Sequence, residues 1–195
     1  MVFFKQNLRL ISQLFINQIG MTIFGIVLTM AVNMAAKGES VFLLGVSLFA
    51  ALFYLALIYN VMWDAGARNI IRIENGRLEK TPFFALKASF FASVPNLFLA
   101  FLMLLGFLLG YVFEVPFGAL LYGIVHIIAA LFEAMYVGCF NVILDRFSDN
   151  AVTEYLVATL LYIFSSLPMI LVSIGAYELG TRNIYLFGKK KPKAE

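Results

Sequence analysis

Soft-ligand and thiol chemistry has almost no material in this sequence: its 195 residues include one cysteine and one histidine. A lone cysteine closes no internal disulfide, and one Cys with one His cannot fill the usual four-ligand zinc sites. Charge is scarce too. Charged residues make up 13% of the chain, 14 Lys+Arg against 11 Asp+Glu, where an ordinary soluble domain carries about 25%. The phosphate loop GxxxxGK followed by Ser or Thr, the dinucleotide fingerprint GxGxxG, the HExxH metal pair and the GxSxG elbow are all missing. The chain is therefore not expected to be an ATPase or a soluble-type hydrolase, or to carry a cofactor or bind nucleic acid. No Asn-x-Ser/Thr sequon occurs either.

What the sequence does contain is apolar: 63% of the residues are hydrophobic, 21 of them Phe, and the mean hydropathy is +0.94. So few polar residues cannot cover a water-facing surface, so lipid must solvate the outside. Apolar runs occur at about Leu14 to Ala36, Val41 to Trp63, Leu86 to Phe113, Phe117 to Leu144 and Tyr155 to Tyr177. Each meets the requirement of roughly 20 residues for a helix crossing about 30 Å of hydrocarbon. None shows the sustained alternation of a barrel strand. The expected fold is an all-α, polytopic transmembrane bundle of about five spans, forming one integral membrane domain over residues 1–195, with the bilayer as its first partner and a membrane protein or a second copy as a further one.

Local punctuation supports these limits. Lys37-Gly38-Glu39-Ser40 reads as a tight turn, Thr81-Pro82 as an N-cap with Pro at the first helical position, Glu114-Val115-Pro116 as a break, and Ser148-Asp149-Asn150 as the opening of the last helix. Lys5 and Arg9 precede an apolar run in the manner of a secretory signal. Gln13, Asn17 and Gln18 interrupt that run, however, and it continues to Ala36, beyond a signal core of about 7–15 residues. A retained first helix is expected, with Gln6, Asn7, Gln13 and Asn17 at headgroup level or against protein.

Two segments closing apolar runs resemble each other: Trp63-Asp64-Ala65-Gly66-Ala67-Arg68-Asn69-Ile70 and Tyr177-Glu178-Leu179-Gly180-Thr181-Arg182-Asn183-Ile184. An aromatic suits the membrane interface, an acid four residues before Arg can bridge to it along a helix, and Gly allows close backbone approach. Interface preference alone accounts for the aromatic and the Arg but not for Gly and Asn in register. With three helices between the copies they would fall on opposite faces, an internal inverted repeat. On that count Lys5, Arg9, Arg68, Arg72, Arg77, Lys80, Lys87 and Arg146 oppose Lys37, Arg182, Lys189, Lys190, Lys191 and Lys193, an eight-to-six split that is a weak positive-inside bias. A re-entrant run would instead put both copies on one face. The basic tail reads as a topology anchor or a lipid contact.

Glu133 falls near the middle of the fourth run, where an unpaired carboxylate costs several kcal/mol. Tyr122, His126, Glu133 and Tyr136 share one helical face. His126 and Glu133 lie seven residues apart, a rise of roughly 10 Å, so each needs its own partner; Asn17, Asn33, Asn60, Asn96 and Asn141 are available. Two roles are open for this stripe: an intramembrane proton relay or ion-coupling site, or polar glue between helices. Ser165, Ser166, His126 and Glu133 are also the residues from which an intramembrane enzyme would have to be built. Gly106 and Gly110, with Ala130, Ala134 and Gly138, predict close packing of the third and fourth runs. Pro95 and Pro168 predict kinks.

The stretch from Trp63 through Asp64, Gly66, Arg68 and Asn69 to Asn75-Gly76-Arg77 and the helix start at Lys87 to Asn96 resembles a group of small multi-span membrane proteins of Gram-positive bacteria, similar in layout to the YesL-like (DUF624) family. The resemblance covers about a third of the chain and implies a bacterial cytoplasmic membrane. The functional expectation is a non-enzymatic, transport-type subunit binding or moving a small solute or proton near Glu133 and His126. The alternative is an accessory or scaffold protein whose loop Asp64 to Lys80 and basic tail engage a larger complex or anionic lipid.

Overall fold

The computed structural model describes residues 2–35 and 40–184, and within them the regular structure is helical. The helices are α1 (Val2–Gln6), α2 (Leu8–Ala35), α3 (Ser40–Glu74), α4 (Phe84–Phe107), α5 (Pro116–Phe132), α6 (Val137–Leu144), α7 (Ala151–Phe164) and α8 (Ser166–Thr181). Four stretches are long and apolar enough to cross a membrane: Leu8–Ala35, Val41–Glu74, Phe84–Val112 and Ala151–Thr181. The fourth apolar run is instead a pair, Pro116–Phe132 and Ala134–Phe147, bent by 81° and making a fifth span if counted as one. The chain is an α-helical membrane protein. The Lys37-Gly38-Glu39 connection and the tail from Lys189 to Lys193 lie outside the described residues.

Several boundaries follow from local chemistry. Asn150 caps α7, its side-chain oxygen accepting from the N–H groups of Val152 (3.1 Å) and Thr153 (3.2 Å). Pro116 opens α5, where its missing N–H costs nothing. Pro168 sits in the first turn of α8, so the break in the last span falls at Ser165, whereas α4 runs through Pro95 without ending. Two expectations change. The helix after Thr81-Pro82 starts only at Phe84, because Phe83 takes a left-handed conformation. The polar stretch after Trp63 is not a loop: α3 continues for three further turns to Glu74, and Gly76 at φ +67° lets the chain leave.

The described residues form two compact units: 2–14, 55–92 and 168–184 make the first, and 15–35, 40–54 and 93–167 the second. In both, the apolar side chains continue from the core to the surface, and polar residues share the interior. Fully covered positions include small or polar residues, such as Ala88, Ser89 and Ser173 in the first unit and Gln18, Ser47 and Thr159 in the second, beside large apolar ones such as Leu14, Ile58 and Met62 in the first and Tyr54, Met103 and Met135 in the second. Large apolar side chains such as Ile71, Phe83 and Leu171, or Ile23, Phe101 and Ile127, face outward. Outward Phe and Ile with inward Ser, Thr and Ala is the arrangement expected when lipid solvates the surface and small residues let helices approach.

In the first unit the two motif copies pack against each other. A Cβ on Gly66 would be driven onto the Tyr177 carbonyl oxygen, and one on Gly180 onto the Trp63 carbonyl oxygen. The Trp63 indole N–H donates to the Ile184 carbonyl (2.7 Å), the Asn69 amide donates to the Tyr177 hydroxyl (3.3 Å), and the Phe84 ring stacks on Tyr177 at 5.0 Å. Asp64 pairs with Arg68, and Glu178 with Arg182, each along its own exposed helix face. The inverted placement is thereby corrected: the copies meet instead of occupying opposite faces. The copies also differ locally. Asn69 is buried inside α3, while Asn183 lies beyond α8 in the left-handed conformation that ends a helix.

Two outcomes are expected. In a Cys139→Ala background, cysteines placed at Glu79 and Ile184 should react with an impermeant thiol reagent from the same side of sealed vesicles; labelling from opposite sides would restore the inverted arrangement. Gly66→Ala or Gly180→Ala should each cost about 1–3 kcal/mol, since a methyl group has no room against a backbone carbonyl. Unfolding in detergent reads this, and an unchanged midpoint would contradict the contact.

Candidate functional site

Glu133 sits where α5 ends. Its backbone (φ −110°, ψ 28°) leaves helical geometry, its N–H still bonds the Ala129 carbonyl, and its own carbonyl accepts from Tyr136 N–H to start the single turn Ala134–Tyr136 that leads into α6. The break interrupts the backbone ladder in a region with no water to repair it. Thr22 of α2 supplies one repair, its hydroxyl donating to the Phe132 carbonyl at 2.6 Å. Ser47 of α3 supplies another, its hydroxyl oxygen accepting from the Gly138 N–H at 2.8 Å. The bend is thus held by polar side chains from two neighbouring helices of the second unit.

The Glu133 side chain is 3% exposed. Its Oε1 accepts from the Asn96 amide on α4 (2.9 Å) and from the Ser165 hydroxyl at the end of α7 (2.7 Å). Asn96 in turn accepts, through Oδ1, from the Gln18 amide on α2 at 2.7 Å. A continuous chain therefore runs Gln18, Asn96, Glu133, Ser165, tying three helices to the break. The remaining oxygens are as informative. Glu133 Oε2, Gln18 Oε1, Ser166 Oγ and the Tyr136 hydroxyl are buried without a hydrogen-bond partner among the described residues. A carboxylate held by two donors on one oxygen and by none on the other is half satisfied, and a buried acceptor in that state costs about 1–3 kcal/mol, more when charged.

The stripe expected along one continuous helix is divided by this break. Tyr136 lies in the turn beyond it and stacks on Phe140 at 5.9 Å. Tyr122 and His126 stay on α5 with separate surroundings: the Tyr122 hydroxyl donates to the Tyr155 carbonyl at 3.1 Å, and the His126 ring lies 5.7 Å from both Tyr122 and Tyr162. Ring contacts link these positions, since Tyr162 also meets Phe140 at 5.2 Å and Tyr122 meets Tyr155 at 5.2 Å. His126 is thus joined to the Glu133 neighbourhood through aromatic rings.

Of the candidate partners, Asn96 meets Glu133; Gln18 completes the chain, although in sequence it stands out only as an interruption of the first apolar run. Ser165 and Glu133 come together, whereas His126 packs among rings. The third and fourth runs do approach closely, through Gly106 against Tyr122 and Gly110 against Gly118 and Ala119, and not through the Ala130, Ala134 and Gly138 face. Gly138 lies instead against Leu43 and Ser47 of α3. The second-copy residues Tyr177, Glu178, Gly180, Arg182 and Asn183, with Trp63, Asp64, Gly66, Arg68 and Asn69, belong to the first unit and to none of this network.

Asn96→Val removes two bonds of the chain and Ser165→Ala one, in which the hydroxyl proton is shared between Glu133 (2.7 Å) and the Tyr162 carbonyl (2.8 Å). At about 0.6–1.7 kcal/mol per intramembrane hydrogen bond, the first substitution should destabilise the protein about twice as much as the second in detergent unfolding; equal losses would mean that the Gln18 link contributes nothing. Against known proteins, the chain matches no family model, no curated protein and no solved structure.

Proposed function

We propose that this chain is a non-enzymatic, transport-type membrane protein that binds or moves a proton or small solute at Glu133. The observation that carries the reading is the unpartnered Oε2 of a buried carboxylate at a helix break. A proton or a small cation at that oxygen would remove the cost of leaving it bare. Helices interrupted at membrane depth, with charged or amide side chains at the interruption, are the recurrent form of transporter binding sites. The amides of Asn96 and Gln18 and the hydroxyls of Ser165, Ser166 and Tyr136 supply neutral groups that can reorient as the carboxyl gains or loses its guest. Pure glue between helices would need no spare acceptor.

The proposed setting is a bacterial cytoplasmic membrane, on the likeness of the Trp63 to Asn96 stretch to the Gram-positive group named above. The described residues of the first unit hold Lys5, Arg9, Arg68, Arg72, Arg77, Lys80, Lys87 and Arg182, eight of the chain's 14 basic residues, so this unit's polar end faces the cytoplasm in the proposed orientation.

Reconstituted into liposomes, the wild-type protein should collapse an imposed gradient of protons, Na⁺ or K⁺ faster than protein-free vesicles, and Glu133→Gln, with an unchanged unfolding midpoint, should abolish that flux. A wild type silent toward all three ions, or a Gln variant that conducts as well as the wild type, would overturn the proposal.

A further inference from the structure

The first unit contains a cleft of about 490 Å³ between the start of α2 and the far end of α3. Its walls are two polar stripes set by helical spacing: Gln6, Arg9 and Gln13 on one side, Asp64, Arg68 and Arg72 on the other. The buried faces of Ala65 and Phe84 close its base. Three guanidinium groups and one carboxylate line it. Asp64 is engaged by Arg68, while Arg9 and Arg72 are exposed and form no ion pair among the described residues. Two cations thus face a concave site without a counter-ion, flanked by amides that can donate.

The depth of the site is fixed by its own helix. The apolar part of α3 ends at Trp63, an interfacial aromatic, and Asp64, Arg68 and Arg72 occupy the following turns. The cleft therefore opens at the level of lipid headgroups. The planar fork of Arg matches phosphate oxygens in pairs, which an ammonium cannot do.

We propose that this cleft binds a phosphate group through Arg9 and Arg72, with Gln6 and Gln13 as supporting donors, the phosphate being carried by an anionic phospholipid headgroup or free in solution. This site is independent of Glu133 and stands whether or not that residue carries flux. Trp63, the chain's only tryptophan, directly precedes Asp64 of the cleft wall and serves as the fluorescent reporter. Asp64→Asn removes the one competing carboxylate and so should strengthen binding.

The test is titration of Trp63 fluorescence on the full-length protein in zwitterionic detergent. Three probes are used: phosphatidylglycerol, phosphatidylcholine, and inorganic phosphate against chloride at equal ionic strength. A saturable response to phosphatidylglycerol and not to phosphatidylcholine identifies a lipid headgroup, and one to inorganic phosphate over chloride identifies a free anion. In either arm the double variant Arg9→Gln/Arg72→Gln should lose affinity about tenfold or more, and Asp64→Asn should gain. No saturable response in any arm, an undiminished response in the double variant, or no gain in Asp64→Asn would overturn the site.

Discussion

Hydrocarbon offers no hydrogen bonds, and the structure depends on that constraint throughout. Within a helix the backbone pairs with itself, but the break after Phe132 leaves groups that a continuous helix would have paired. The side chains that reach it, Thr22 to the Phe132 carbonyl and Ser47 to the Gly138 N–H, are among the polar residues an otherwise apolar sequence keeps buried. Gln18, Asn96 and Ser165 do the same for the Glu133 carboxyl. Once the break exists, the identity of its neighbours is strongly restricted.

The spans are legible in composition because crossing a bilayer sets a length, and α2, α3, α4 and α7–α8 each exceed it. Residue counts did not reveal how the fourth run is shaped. Apolar content from Phe117 to Leu144 is that of one straight helix, and the bend occurs where Glu133 is tied to α4 and α7, tertiary bonds that no local pattern encodes. The same holds for the repeat. Gly66 and Gly180 are recognisable as sites of close approach, but that each approaches the other copy is a tertiary contact that no local pattern encodes.

For the polar site, the sequence singles out Glu133 and includes Asn96 among its partners, since amides at span depth are few. It misses Gln18, which looks like an interruption of an N-terminal run and proves fully buried. It also places His126 on the carboxyl's own helical face, a relation that holds only while α5 continues. A buried amide at a position where a signal peptide would be uninterrupted was the available clue to Gln18, and its weight becomes clear only with α4 beside it.

The apolar exterior has an evolutionary consequence. In water-soluble proteins the interior resists substitution and the polar exterior drifts. Here the exterior positions, such as Phe101, Ile127 and Leu171, face a fluid that any apolar side chain satisfies. Leu, Ile, Val and Phe are therefore interchangeable there at little cost. The tightly covered alanines, serines and amides have no such freedom, because a larger residue pushes helices apart and an apolar one strands its partner. Divergent descendants of this chain would be expected to keep an unremarkable-looking set of small and polar letters while their bulky apolar majority scrambles, so overall identity would decay faster than the architecture.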